Sequence, residues 1–120
     1  MLRNSSFYII QPASENGSFD IKINPQHPIF KGHFPEKPIV PGVCIVEICR
    51  EICEEIYHKR LIISKVRNIK FTQILTPTEY PEVRFSIQHE NIENQEIDIQ
   101  ASVKHNDTLF TKIQMTLKYF

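Results

Sequence analysis

His33 follows Gly32 and precedes Phe34-Pro35, in a segment with prolines at 25, 28, 35, 38 and 41. Glu47 lies fourteen residues beyond it, and Pro41-Gly42-Val43 falls between the two. Pro41-Gly42 opens a helix, so the N–H groups of Gly42 and Val43 point out of its positive end with no partner inside it. Amides so placed suit a carbonyl oxygen that gains negative charge, as in an enolate. An imidazole and a carboxyl group nearby would form an acid–base pair for removing a proton beside that carbonyl. Gly32 lets the backbone approach closely, or adopt positive φ, next to His33.

Each of these residues also has a plainer reading. Glu47 shares its helical phase with Glu51 and Glu54, which by spacing alone describes a solvated polar face. Its position relative to His33 is what lifts it out of that reading. Without its surroundings His33 would be a capping or loop-packing histidine. His27 reads as structural, holding the entry to the loop, and His58, His89 and His105 read as surface residues. Cys49 and Cys53 are four apart on one helix face, a spacing that supplies two metal ligands. No second pair or close histidine follows at zinc-site spacing, so small apolar packing is favoured.

The elements that must carry these groups follow from apolar periodicity. Phe19, Ile21 and Ile23 alternate with polar residues and predict a strand, with Phe7 to Ile10 as the strand before it. The turn between them spans Pro12 to Ser18. Five of the eight prolines lie between positions 25 and 41, which excludes a continuous helix and a central strand there. Ile29, Phe30, Phe34, Ile39 and Val40 argue that this long loop is packed, and long packed loops are usually functional. From Gly42 the period becomes helical. Val46, Cys49, Cys53 and Ile56 form a stripe widened by Ile45, Ile48 and Ile52, so this helix should be enclosed and end near His58-Lys59-Arg60. The rest alternates as strands, with a bulge expected near Arg67-Asn68, a turn at Thr76-Pro77-Thr78 and hairpin turns at 91–95 and 106–107. One enclosed helix followed by an antiparallel meander defines an α+β class.

Composition sets the limits. The 120 residues are 41% hydrophobic and 23% charged, with 14 basic and 14 acidic side chains, so the whole chain, 1–120, reads as one domain with a genuine core. The balanced charge supplies no global field for nucleic acid or an anionic membrane. The N-terminal apolar run is too short for a signal peptide or a membrane span. Three cysteines within ten residues do not suit a secreted disulfide framework, so a reducing cytoplasm is the expected location. Lys31, Lys37, Lys59, Arg60, Lys65, Arg67 and Lys70 are either scattered solvated charge or a local patch for an acidic partner.

The run Gly32-His33-Phe34-Pro35-Glu36-Lys37-Pro38-Ile39-Val40-Pro41-Gly42-Val43, with Glu47 beyond it, resembles the 3-hydroxyacyl-acyl-carrier-protein dehydratases of the FabZ kind. The related FabA kind has Asp where this chain has Glu47. Val66-Arg67-Asn68-Ile69-Lys70-Phe71 followed by Leu75-Thr76-Pro77 resembles the family's next strand. The resemblance implies a hotdog fold, in which a curved antiparallel sheet wraps one long helix, here about Pro41 to Tyr57. It implies a homodimer or larger assembly with the site at the subunit interface, His from one subunit and the acid from the other. His33 would then remove the C2 proton of a 3-hydroxyacyl thioester, and Glu47, its carboxyl raised toward the acid form by burial, would protonate the departing hydroxyl. The Gly42 amide, with Val43, would hold the thioester oxygen, and Phe34 would line the core or the acyl channel. Neither metal nor organic cofactor is implied, and the partner is an acyl carrier protein in fatty acid or related lipid or polyene synthesis. A hotdog acyl thioesterase and a non-catalytic acyl-binding or scaffold subunit are the alternatives. The family usually continues Glu-Ala-Met-Ala-Gln where this chain has Glu47-Ile48-Cys49-Arg50-Glu51, so Arg50 and Glu51 either reshape the acyl channel or pair with Glu47.

Overall fold

A computed structural model describes residues 6–12, 16–31 and 37–120. Their six strands are β1 (Tyr8–Pro12), β2 (Ser18–Ile23), β3 (Ile62–Phe71), β4 (Glu82–Glu93), β5 (Glu96–His105) and β6 (Thr108–Lys118), and one helix, α1 (Gly42–Tyr57), precedes β3. They form a single sheet in the order β1-β2-β4-β5-β6-β3, with every neighbouring pair antiparallel. This is the α+β hotdog architecture. The expected meander holds for β4-β5-β6, whereas β3, next to β4 in sequence, lies beyond β6 at the far edge. Alternation fixes which face of a strand is buried but not which strand lies beside it.

Period two along β4 and β5 buries Val83, Phe85 and Ile87 against Ile97, Ile99 and Val103, all on the face that receives α1. From the helix, Ile45, Ile48, Cys49, Ile52 and Cys53 complete that core. α1 ends where its last turn runs out at His58, whose left-handed backbone (φ 54°) closes it by an N–H bond to the Glu54 carbonyl. The β4–β5 hairpin turns on Asn94 and Gln95, both at positive φ, and β5–β6 turns at Asn106. In β3 the register slips between Ile63 and Lys65 and again between Val66 and Asn68, the second where the bulge is expected.

The proline-rich segment is packed where it is described. His27 caps a short 3₁₀ turn (Pro28–Phe30) by accepting the Ile29 N–H on Nδ1 at 3.1 Å, and Phe30 is buried against Phe7. Val40 donates to the Leu75 carbonyl at 2.9 Å, which pins the approach to α1 against the chain leaving β3.

Candidate active site

Pro41 caps α1 with extended backbone, and its carbonyl accepts the amides of Cys44 (3.0 Å) and Ile45 (3.2 Å). The amides of Gly42 and Val43 precede those donors and have no acceptor within the helix, so they face out of its positive end. Beside them lies a cleft of about 500 Å³, lined by Ile39, Pro41, Gly42, Ile45, Phe71 and Ile74 among others. It is an apolar recess with peptide donors at its wall, a combination that accepts an acyl chain ending in a polarisable carbonyl. The tip of the Phe71 ring lies against Gly42, so close that a Cβ there would stand 2.7 Å from Cζ. Phe71 was legible in the sequence only as an alternating strand residue. The signal for its role is the glycine opposite, which keeps room for the ring.

Glu47 is not enclosed as expected, since its side chain is 32% exposed. Its environment is set instead by Arg50, one turn on, which donates from Nε to Oε1 at 2.7 Å and from Nη2 to Oε2 at 2.8 Å. Of the two expectations for Arg50, pairing with Glu47 is the one seen. The guanidinium also donates from Nη1 to the Leu61 carbonyl at 2.9 Å, and the same nitrogen is 2.9 Å from Glu54 Oε2. Glu54 in turn accepts the Leu61 amide at 2.9 Å. Glu51 is fully buried, takes the Tyr8 hydroxyl on Oε1 at 3.0 Å, and lies 3.9 Å from Arg50 Nη2. The hydrogen bond to Glu47 is the largest influence holding Arg50 protonated, with the charges of Glu47, Glu54 and Glu51 adding and burial opposing. Burial first, and then the Glu47 charge, push the Cys44 thiol up. The polar stripe of α1 is therefore a partly buried ion network that ties the helix to β1 and to the start of β3. A solvated face it is not.

Gly42 and Glu47 are five residues apart, which on an α-helix turns them roughly 140° from each other. Glu47 accordingly does not line the Gly42 cleft. His33 and Phe34 lie outside the described residues. Val43 is 78% exposed, with its amide at the helix end. The Cys49 and Cys53 thiols are buried, as packing residues would be. Of the basic side chains, Arg67 pairs with Glu90 at 2.9 Å, Lys37 lies 3.8 Å from Glu79, and Lys59 covers the Tyr119 ring, so these three are engaged locally. No described helix is long and apolar enough to cross a membrane.

The family model of the ApeI-like proteins, described as ApeI dehydratase, matches residues 10–113. The chain belongs to the ApeI-like dehydratase family. A 3-hydroxyacyl-[acyl-carrier-protein] dehydratase FabZ of Wolbachia pipientis wMel is 37% identical over 68 residues, covering 51% of this chain and 48% of that protein. One from Anaplasma phagocytophilum (strain HZ) is 28% identical over 98 residues, 73% of this chain and 66% of that protein. The chain spans about half the length of the first of these. Among solved structures, the dehydratase heterocomplex ApeI:P from Xenorhabdus doucetiae superposes with a TM-score of 0.62 at 16% identity, over 92% of this chain and 97% of that one. The BH2602 protein from Bacillus halodurans with CoA gives 0.66 at 10% identity, over 92% and 71%. At such identities the likeness is one of fold, and it agrees with the hotdog sheet and helix described above.

Proposed function

We propose that this ApeI-like protein dehydrates a 3-hydroxyacyl thioester on an acyl carrier protein, giving a trans-2-enoyl thioester and water in fatty acid or related lipid or polyene synthesis. The observation that carries the reading is the helix-end amide of Gly42 at the wall of an apolar cleft, with that of Val43 next to it at the same helix end. A thioester oxygen seated there gains charge as the C2 proton leaves, and amide donors stabilise that charge without a cofactor. His33 takes the C2 proton, and a carboxylic acid at Glu47 gives a proton to the departing 3-hydroxyl. Because Glu47 lies on another side of α1 from Gly42, a second copy of the chain supplies the carboxyl to each site. Phe34 lines the acyl channel.

The test is turnover of 3-hydroxyacyl carrier substrates over a range of chain lengths, together with hydration of the matching enoyl thioesters. His33→Ala is expected to abolish both directions. Glu47→Gln is expected to fold normally and lose about 10²- to 10⁴-fold in rate, the usual contribution of a positioned acid–base group. An unchanged rate in that variant excludes the acid role. Release of free thiol would instead mark a thioesterase, and silence across chain lengths an acyl-binding or scaffold subunit.

A further inference from the structure

We infer that Arg50 is a positioning residue that sets both the direction and the charge of Glu47, so that the resting site holds a carboxylate. The inference rests on the reading of Glu47 as the acid–base group. Arg50 is itself only 12% exposed, and among the described residues the Leu61 carbonyl, Glu54 and, at longer range, Glu51 hold its guanidinium besides Glu47. A fork fixed in this way directs its remaining donors along one line. Both Glu47 oxygens accept from it, one each. A bidentate guanidinium pair favours the ionised carboxyl and restricts its rotation. Among the described residues, the other titratable groups around the pair are Cys44, Glu51 and Glu54 on α1 and Tyr8 on β1.

The consequence lies in the pH dependence. In hydration, water adds to C3 while the Glu47 carboxylate takes its proton, and the His33 imidazolium gives a proton to C2. Glu47 ends as the acid and His33 neutral. Dehydration is the reverse and must begin from the acid form of Glu47. Both directions use the pair with one proton between Glu47 and His33, so by keeping Glu47 ionised Arg50 extends that state, and with it turnover either way, toward low pH.

Arg50→Ala alone leaves three glutamates clustered without their cation and risks misfolding, so the principal variant is R50A/E51Q. It removes one positive and one negative charge and so keeps the cluster's net charge. Arg50→Lys, which keeps the charge but not the fork, is the conservative comparison. In R50A/E51Q the acid limb of the hydration pH–rate profile should move up by about one pH unit, as expected for loss of a guanidinium partner. The enoyl-thioester KM should stay within about threefold, and R50K should fall between the variant and the wild type. Side-chain carboxyl carbon NMR gives a readout that needs no turnover, and the Glu47 titration midpoint should rise by the same amount. An unmoved midpoint, or an unmoved acid limb in a variant that still turns over, overturns the role of Arg50. If instead the midpoint moves while Glu47→Gln keeps full activity, the acid–base reading fails, and the positioning role of Arg50 fails with it.

Discussion

At the scale of single residues, the contact between Gly42 and Phe71 decides how the cleft is shaped. The added methyl of Gly42→Ala would meet Phe71 ring atoms at 2.7, 3.1 and 3.2 Å, closer than a Cβ tolerates. Gly42 sits in the first turn, where alanine fits the backbone and keeps the amide donor. The strain therefore falls on Phe71, whose half-exposed ring is free to swing (54% exposed). Gly42→Ala is expected to fold with little change in melting temperature and to raise the KM for long acyl chains several-fold. Adding Phe71→Ala should recover most of that loss. Steady-state kinetics on the two single variants and the double variant check it, because strict additivity would show that the ring and the glycine do not act together. The motif around Gly42 was legible from sequence, but the ring that seals it was not. A strand residue about thirty positions away is brought there only by the crossover to the far edge of the sheet.

At the scale of elements, α1 carries more buried polarity than its sequence suggests. Its apolar stripe and both ends were readable from period and termini. By spacing alone Glu47, Glu51 and Glu54 describe a solvated face, because helical phase reports which residues share a face, not what covers it. Here β1 brings the Tyr8 hydroxyl onto Glu51, and the start of β3 brings the Leu61 backbone onto Arg50 and Glu54. The thiol row on the same helix has a consequence for stability. The hydrogen bond with Cys53, followed by burial, pushes the Cys49 thiol well above its ordinary 9.0, so the folded protein keeps that proton when the unfolded chain has lost it. A folded-state pKa raised in this way contributes stability below 9.0 that is lost as pH rises further. Thermal melting under reducing conditions should show the midpoint falling between pH 8.5 and about 10.5. Cys49→Ala should flatten part of that fall, whatever it does to the absolute midpoint. A residual slope is expected from Cys44 and Tyr57, both pushed up mainly by burial. An equal slope in the variant would remove Cys49 from the account.

At the scale of the whole molecule, the sheet is open at β3. That strand pairs with β6 along one side, and its other edge has no partner among the described residues. Ile62, Val66 and Phe71 are each about half exposed along it, a concentration of apolar surface that an isolated sheet edge rarely leaves uncovered. Placing Gly42 and Glu47 on different sides of one helix makes the same demand from the chemistry, since a site needing both requires two chains. A second copy paired along β3 would cover the stripe and bring the two sides together. Val66→Asp sets a charge at the middle of the stripe, where a copy paired along β3 would have to bury it. The wild type is expected to run in light scattering at twice the chain's mass, and the variant to shift toward monomer with its circular dichroism unchanged. Turnover should fall in proportion to the dimer lost and recover as protein concentration rises. A variant that stays dimeric would place the interface elsewhere. A monomer with full activity would show that one chain completes the site alone.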